Sequence, residues 1–208
     1  MGEWIRARRE KIGNRIWELE KHPEFAEEGF EMPFIEEILR RARLSIVECY
    51  QIFYHAKQIP GGGTYFEIGT WIGGSVLCAF LGSQIAKNSV NLISIDVGLD
   101  ENWYRDITQL IPSLKLLVLE SDLVKDKIRD DSIDLCFVDG DHRYGSIKRD
   151  IVNYWPKIKV GGILLGHDYA SRVHKGVMKA VHEIFGRKDF QLEKTRMFKI
   201  TKKSKELR

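Results

Sequence analysis

An acid and several glycines follow one short apolar run of this 208-residue chain, where they could bind a small ligand. The apolar run at 64–68 predicts a buried strand that leads into the turn E-I-G-T-W-I-G-G-S at 67–75. A second apolar run, at 91–95, ends at Asp96, about twenty residues beyond the glycines. Glycines in such a turn let the backbone approach a ligand, and an acid at this distance can accept hydrogen bonds from a ribose. The spacing predicts an enzyme that uses a nucleoside cofactor.

The turn differs from the common phosphate-binding loops, which narrows the choice of cofactor. The dinucleotide fingerprint is G-x-G-x-x-G, whereas the pattern here is E-x-G-x-x-x-G with Glu67 at its head. A carboxylate at that position would repel a pyrophosphate, and the P-loop is excluded because no G-K-[ST] follows the glycines. Glu67 would suit a cofactor that carries positive charge and no phosphate. S-adenosylmethionine, with its sulfonium, ammonium and ribose hydroxyls, fits this description.

Carboxylates recur at or near the ends of the first five predicted strands. They are Glu67, Asp96, Asp122, Asp139 with Asp141, and Asp168. Because the carboxyl ends of parallel strands share one edge of a sheet, we expect these acids on one side of the domain. Two carboxylates about 5 Å apart repel by roughly 3 kcal/mol at an effective dielectric near 20, so a cluster needs separation, hydrogen bonds or a cation. Each acid taken alone could instead cap the helix that follows it. For Asp122, this explanation is as good as a role in ligand binding.

Hydrophobic periodicity predicts an α/β fold with a Rossmann-like, mostly parallel seven-stranded sheet. Strands are expected near 64–68, 91–95, 115–119, 134–138 and 162–167, and helices near 75–87, 102–111, 143–155 and 174–185. Two late runs, at 190–192 and 197–201, are too close for a crossover helix and predict an antiparallel C-terminal hairpin. Residues 1–59 have helical spacing and predict an N-terminal helical extension or cap, in which Arg40, Arg41 and Arg43 are expected on a solvated face.

Composition limits the classes of function. The formal net charge is +3, from 33 basic and 30 acidic side chains, which by itself does not indicate a nucleic-acid partner. No apolar stretch approaches the roughly 20 residues that cross a bilayer, and the N-terminal residues lack the apolar core of a signal peptide. Cys49, Cys78 and Cys136 are expected to be reduced core thiols. We therefore expect a cytoplasmic protein with no membrane partner.

Three motifs together resemble those of class I S-adenosylmethionine-dependent methyltransferases. They are the turn at 67–75, F-V-D-G-D-H at 137–142 and G-G-I-L-L-G-H-D at 161–168. The resemblance is greatest to small-molecule O-methyltransferases that include macrolide-sugar and cephalosporin-pathway enzymes, with catechol and caffeoyl-CoA O-methyltransferases more distant. It implies a class I methyltransferase domain over residues 60–208 and, as for many relatives, a homodimer or larger homo-oligomer.

The resemblance also implies a role for each matching residue. The cofactor would be bound by Glu67, Gly69, Thr70, Gly73, Ser75, Asp96, Ser121, Asp122 and Asp139, with Asp96 on the ribose hydroxyls. Asp139 and Asp168 match positions that bind a divalent metal in the metal-dependent relatives, and His142 matches the general base of the sugar O-methyltransferases. Catechol-type enzymes have Asn after the second metal acid, where this chain has Tyr169.

The residue types agree with the chemistry of methyl transfer. Displacement at a sulfonium needs an oxygen nucleophile that is held close to the methyl carbon and helped to lose its proton. Asp139 and Asp168 offer hard oxygen ligands for Mg²⁺ or Ca²⁺, and His142 can accept a proton near neutral pH. We predict an S-adenosylmethionine-dependent O-methyltransferase with Asp139 and His142 as catalytic residues. Its acceptor would be a hydroxyl of a small molecule, such as a sugar or a secondary metabolite.

Two other functions stay open at this point. A nucleic-acid methyltransferase on the same fold is disfavoured by the nearly balanced charge. It is also disfavoured by the D-G-D-H motif, which stands where many base methyltransferases carry N-P-P-Y or D-P-P-Y. A catalytically silent cofactor-binding protein is the other alternative, although nothing in such a protein would require the whole set of acids and glycines.

Overall fold

The computed structural model of the protein describes residues 21–29, 37–38, 41–98 and 100–204. Parts of the predicted N-terminal extension, at 1–20, 30–36 and 39–40, lie outside the described residues. Within the described ranges, strands and helices alternate in the order that the sequence predicts.

Six strands and seven α-helices have defined bounds among the described residues. The strands are β1 (Thr64–Ile68), β2 (Asn91–Asp96), β3 (Lys115–Val118), β4 (Ile133–Val138), β5 (Ile158–Gly166) and β6 (Phe198–Thr201). The helices are α1 (Pro23–Glu27), α2 (Ile46–Lys57), α3 (Gly74–Ile85), α4 (Glu101–Leu110), α5 (Ser121–Val124), α6 (Tyr144–Tyr154) and α7 (Lys175–Phe185). The short helix α5 was not predicted, since four residues are too few to show a period.

The strands form one sheet in the order β3-β2-β1-β4-β5-β6. The first five strands run parallel, and β6 runs antiparallel to β5. In the central register Ile68 pairs with both Ile95 and Val138, so β1, β2 and β4 end almost level. The strand order reverses between β1 and β4, and the loops that leave these two strands therefore diverge and open a crevice at the carboxyl edge.

The sheet has six strands rather than the seven predicted, because the run at 190–192 forms no regular strand. Gln191 makes an isolated antiparallel bridge to Phe198. The backbone N–H of Leu192 donates to Met197 O at 2.9 Å, and a turn follows in which Thr195 N–H donates back to Leu192 O at 3.2 Å. The antiparallel hairpin is thus present, but its first arm is too short to extend the sheet.

Strand β5 begins earlier than predicted, at Ile158 instead of residue 162. The strand passes through the pair Gly161-Gly162 with an irregularity in its pairing. Gly161 has φ +88° and the pairing with β4 shifts register between Ile133 and Leu135. A glycine in the left-handed region is what such a bulge requires.

Two hydrophobic cores lie on opposite faces of the sheet. Tyr65 belongs to the cluster formed with α2, α3 and α4, whereas the next residue, Phe66, belongs to the cluster formed with α6 and α7. This alternation follows from the period of two in a strand. Because both faces are covered, the central strands are apolar almost throughout, as the continuous run at 135–138 indicated. Helix α2, from the predicted extension, is part of the first core.

Helix α2 starts with a capping box that also positions an acid. The Glu48 backbone N–H donates to Ser45 Oγ at 3.3 Å, and the Ser45 N–H donates to Glu48 Oε2 at 2.7 Å. This reciprocal pair satisfies two N–H groups at the helix start. The other oxygen, Glu48 Oε1, accepts the backbone N–H of Arg196 at 2.8 Å, which ties α2 to the segment before β6.

Two expectations from composition agree with the structure. Cys49, Cys78 and Cys136 are buried free thiols. In the part of the chain that the structure describes, every helix is too short or too polar to cross a membrane.

A buried lysine fastens the end of β6 to the start of β5. The Lys202 side chain is 1% exposed, and its Nζ donates to the carbonyl oxygens of Trp155 at 3.0 Å and Ile158 at 2.6 Å. The same ammonium lies 3.6 Å from Asp131 Oδ1. A buried charge requires such partners, since their loss leaves it without solvation.

We expect Lys202→Met to lower the free energy of unfolding by about 3 kcal/mol, because it leaves buried carbonyl groups without their charged donor. Urea titration followed by circular dichroism measures the change. The exposed neighbour Lys203 gives a matched control, and Lys203→Met should change the stability by less than about 0.5 kcal/mol. Equal stabilities of the two variants would contradict this role of Lys202.

Candidate active site at the carboxyl edge of the sheet

A cavity of about 960 Å³ opens at the carboxyl edge, in the crevice between β1 and β4. Its walls come from the loops after β1, β2, β3 and β4, from the start of α3, from α6 and from the segment 41–44. Open α/β sheets bind their ligands at this position, and the volume is in the range of small-molecule sites.

Six of the nine predicted cofactor residues line the cavity, namely Gly69, Thr70, Ser75, Asp96, Ser121 and Asp139. The other three are Glu67, Gly73 and Asp122. Gly73 instead precedes α3, where an added Cβ would come within 2.5 Å of the Ile107 side chain. The Asp122 carboxylate pairs with Arg149 at 2.9 Å and accepts a hydrogen bond from Asn153 Nδ2 at 2.6 Å, on α6. The structure therefore gives these two residues packing and ion-pair contacts.

Gly69 lets the loop after β1 touch the loop after β4. Its φ is +96°, and a Cβ at this position would lie 2.3 Å from the carbonyl oxygen of Asp139. Both the backbone conformation and the close approach require glycine. The two loops that carry the predicted acids are thereby held together along the cavity.

Asp96 ends β2 with its carboxylate held in a fixed orientation. Oδ2 accepts the backbone N–H of Trp71 at 2.8 Å, and Oδ1 accepts that of Gly98 at 3.2 Å. Trp71 has φ +46°, which is uncommon for a bulky residue and directs its N–H to the acid. Since each carboxylate oxygen has two lone pairs, Asp96 keeps acceptor capacity toward the cavity.

Glu67 lies one layer beneath the cavity rather than in its wall. Its side chain is 0% exposed, and the hydroxyls of Tyr65 and Ser94 donate to the carboxylate at 2.5 Å and 2.8 Å. Ser94 is in turn hydrogen-bonded to the Thr70 hydroxyl at 2.5 Å. Burial raises the pKa of Glu67 to about 7, although hydrogen bonds from Tyr65, Ser75 and Ser94 oppose the shift. Thr70 and Ser75, which do line the cavity, connect the acid to it.

A histidine lies among three carboxylates where β4 and β5 end. His167 Nδ1 is 3.4 Å from Asp139 Oδ1 and 3.6 Å from Asp168 Oδ2, and Nε2 is 3.4 Å from Glu48 Oε1. Because both ring nitrogens face carboxylate oxygens, the site favours the protonated imidazole. Burial alone would lower the pKa of His167, but the three carboxylates raise it to about 11.

Asp168 connects this cluster to two further histidines. Its backbone has φ +56°, a conformation that is costly for a residue other than glycine and often found at functional sites. Arg196 Nη1 donates to Oδ1 at 3.0 Å, while Oδ2 lies 3.6 Å from His142 Nε2 and 3.8 Å from His174 Nε2. Burial opposes ionisation, but His167 and the other cations lower the pKa of Asp168 to about 2.

These contacts decide whether Asp139 and Asp168 suit Mg²⁺. Mg²⁺ requires an octahedral shell of oxygen ligands and keeps several waters. Here an imidazole nitrogen faces one oxygen of each acid, and Arg196 occupies the other oxygen of Asp168. Protein cations thus already neutralise the pair, so these residues do not fit a resident Mg²⁺ ion.

His142 lies at the junction of the cavity with a smaller one of about 370 Å³. The smaller cavity is lined by Asp141, His142, Arg143, Tyr144, Val173, His174 and Gly176. Asp141 and Arg143 line both cavities, so the two are adjacent. The His142 side chain is 31% exposed, and its ring lies 4.4 Å from that of His174 between centroids.

Sequence reasoning missed two polar residues of α6 that line the larger cavity, Ser146 and Asp150. Both are buried, and Asp150 Oδ1 accepts a hydrogen bond from the Ser121 hydroxyl at 2.6 Å. They are four residues apart and therefore share a helix face beside the apolar stripe of Ile147 and Ile151. A polar pair next to a buried stripe was the signal available in the sequence.

The expected solvated position of Arg41 is wrong. Its side chain is 4% exposed, lines the cavity and donates to the carbonyl oxygen of Ile72 at 3.1 Å. Glu37 accepts from its Nε at 2.5 Å. Arg43 does lie at the surface, with its guanidinium 4.3 Å above the Trp71 ring, and also lines the cavity. Two of the three clustered arginines, Arg41 and Arg43, therefore line the site.

Comparisons with known proteins agree with this architecture. Residues 66–169 match the model of a family described as a methyltransferase domain. An uncharacterized protein, R132 of Acanthamoeba polyphaga mimivirus, is 30% identical over 134 residues, which cover 58% of this chain and 58% of that protein. The chain therefore spans less than two thirds of this relative.

Two solved structures share the fold at low sequence identity. A putative caffeoyl-CoA O-methyltransferase from Staphylococcus aureus is 14% identical, with a TM-score of 0.61 over 89% of this chain and 97% of that chain. An S-adenosylmethionine-dependent O-methyltransferase from Thermotoga maritima is 14% identical, with a TM-score of 0.55 over 81% of this chain and 71% of that chain.

The buried acid Glu67 makes the stability depend on pH. Its pKa in the folded protein is about 7, above the ordinary value of 4.5, so the folded state holds a proton that the unfolded chain releases. The free energy of unfolding should therefore fall as pH rises from 4.5 through 7, by on the order of 3 kcal/mol relative to Glu67→Gln. Denaturant titrations across this pH range measure the difference. Glu101→Gln, at an exposed position, should keep the pH dependence of the parent, and a Glu67→Gln profile parallel to the parent's would refute the assignment.

Proposed function

The chain belongs to the methyltransferase domain family, and on this premise we propose that it transfers a methyl group from S-adenosylmethionine to a hydroxyl oxygen of a small molecule. The observation that carries the proposal is the junction of the two cavities. The larger one is bordered by Asp96 and Asp139, and the smaller one contains His142, a proton acceptor. A donor and an acceptor molecule can therefore meet at one point.

The larger cavity suits the charges of S-adenosylmethionine along its length. Asp96 has free acceptor capacity for the two ribose hydroxyls. Ser121 and Asp150 would hold the adenine end, and Thr70 and Ser75, which line the cavity near the start of α3, would hold the methionine end. The carboxylate of the methionine end suits the start of α3, where backbone N–H groups lack helical partners.

The positive groups of the cofactor would lie among acids. Asp139 lines the cavity directly, and Glu67 lies beneath it behind Thr70 and Ser75. A sulfonium between them lowers the electrostatic energy of both acids, whereas a pyrophosphate would raise it. This difference favours S-adenosylmethionine over a dinucleotide.

Methyl transfer then needs a bound hydroxyl and a base. The acceptor occupies the smaller cavity, whose 370 Å³ suits a molecule of about the size of a sugar. When bound, S-adenosylmethionine would supply the methyl carbon, and its carbon–sulfur bond would break as the acceptor oxygen attacks, which would leave a neutral sulfide. The hydroxyl proton passes to His142 Nε2. The Asp168 carboxylate, 3.6 Å away, stabilises the imidazolium that forms.

Residues 1–59 are proposed to cap the domain at 60–208 and shape the acceptor site. Helix α2 packs in the core beside α3, and the segment 41–44 lines the larger cavity. Unchanged affinity for the acceptor in a stable protein that lacks residues 1–30 would contradict this proposal. The cytoplasmic location and the homo-oligomeric state stay predictions.

Calorimetry with S-adenosylmethionine, S-adenosylhomocysteine and NAD tests the cofactor. We expect both sulfur ligands to bind and NAD not to bind. Asp96→Ala should weaken binding of the sulfur ligands by roughly 10- to 100-fold, the effect of losing hydrogen bonds to a charged group. Asp122→Ala is the matched control, because this second strand-end acid does not line the cavity. Tight NAD binding without a response to the sulfonium would overturn the proposal.

A methyl-transfer assay with labelled cofactor and a panel of hydroxylated small molecules tests the base. His142→Gln should lower kcat by about 10²- to 10⁴-fold and leave the affinity for S-adenosylmethionine unchanged. His22→Gln, at the residue before α1, should behave as the parent protein. Full activity of His142→Gln on an accepted substrate would exclude His142 as the base.

EDTA should not lower turnover, because His167 and Arg196 already neutralise the pair Asp139 and Asp168. The measurement compares initial rates before and after dialysis against the chelator. A loss of activity that Mg²⁺ restores would show that the pair does bind a magnesium ion.

A further inference from the structure

We infer that His142, Asp168 and His174 form a binding site for a transition-metal ion of the zinc class, and that an ion bound there blocks His142 as a base. The first clause depends only on the arrangement of the three side chains. The second clause rests on the proposed function.

The three ligand atoms already converge. His142 Nε2, Asp168 Oδ2 and His174 Nε2 all lie within 4.8 Å of one another, and Oδ2 is 3.6 Å and 3.8 Å from the two nitrogens. Ligands about 2.1 Å from a tetrahedral zinc ion are about 3.4 Å apart. The two distances from Asp168 Oδ2 would therefore need to shorten by only a few tenths of an ångström.

The ligand types select the class of ion. Two imidazoles and one carboxylate suit Zn²⁺, Co²⁺, Ni²⁺ or Fe²⁺, whereas Mg²⁺ prefers oxygen ligands. Three protein ligands with a fourth position open to the cavity are typical of zinc sites that exchange water. Asp139 and Asp168 fit Mg²⁺ poorly. Asp168 together with His142 and His174 nevertheless offers the ligand types that an ion of the zinc class prefers.

The surroundings of Asp168 resemble the outer shell of a metal site. Arg196 holds Oδ1 at 3.0 Å, and His167 faces Oδ2 at 3.6 Å, so the carboxylate is oriented by its neighbours.

The two histidines can be reached from solvent, whereas the acid is buried. Their side chains are 31% and 37% exposed in the smaller cavity, against 6% for Asp168. His174 precedes α7, yet its side chain makes no capping hydrogen bond to that helix. Its ring instead faces His142 and Asp168, which is the arrangement of a ligand.

Metal binding and proton acceptance exclude each other at His142. The same Nε2 lone pair that would take the hydroxyl proton would bind the ion. An ion in this site therefore removes the base, and we expect Zn²⁺ to inhibit methyl transfer. His174 is a ligand in this scheme and also lines the acceptor cavity, so the effect of the ion is measured against the metal-free rate of each variant.

Titration of the chelator-treated protein with Co²⁺ tests the site without any need for activity. We expect the visible absorption bands of tetrahedral Co²⁺ to saturate at one equivalent, and Zn²⁺ but not excess Mg²⁺ to abolish them. His142→Ala and His174→Ala should each weaken Co²⁺ binding by at least about 10-fold. His22→Ala, which removes the histidine just before α1, should bind as the parent does. Absence of the bands, or bands that survive both ligand substitutions, would overturn the proposal.

The blocking clause is tested by the rate of methyl transfer with and without Zn²⁺. We expect Zn²⁺ to inhibit the parent protein, and in His174→Ala, measured against the metal-free rate of that same variant, we expect inhibition to need at least about 10-fold more Zn²⁺. Bound Zn²⁺ that leaves the rate unchanged would overturn the blocking clause while the site stands. A protein that binds Co²⁺ as expected but transfers no methyl group to any acceptor would instead contradict the proposed function.

Discussion

The contact of one imidazole with three carboxylates determines how the carboxyl edge is built. His167 comes from the end of β5, and it meets Asp139 from β4, Asp168 from its own loop and Glu48 from α2. Without the positive ring, three acids would repel one another in a partly buried site. With it, helix α2, the centre of the sheet and the loop before α7 are held in one arrangement. The positions of His142 and Asp168 depend on that arrangement.

The location of the site could be predicted from the sequence, whereas the contacts of its individual residues mostly could not. Strand ends can be read from apolar runs, so the positions of Asp96, Asp139 and Asp168 at one edge followed from the parallel order of the strands. The burial of Glu67 beneath the cavity did not, because it depends on the hydroxyls of Tyr65 and Ser94, which pattern alone does not locate. Partners far apart in the chain become visible only when the strands are paired.

The misassigned parts of the fold have a common physical origin. The arm at 190–192 and the start of β5 both lie where a short segment joins or leaves the sheet. Hydrogen bonds to a neighbouring strand decide such segments, and local residue preference decides little. The burial of Arg41 also depends on contacts that the pattern of charges does not show, since the carbonyl of Ile72 and the carboxylate of Glu37 replace the water that its charge would otherwise require.

The protonation of Glu67 has a consequence for how the protein would exchange its ligands. At neutral pH this acid is divided between its two forms, because its pKa is about 7. A cationic molecule that settles above Thr70 and Ser75 favours the ionised form and expels the proton. Departure of the neutral sulfide would let the proton return. The Glu67 carboxyl beneath the cavity would then lose its proton when the cationic ligand binds and regain it when the product leaves.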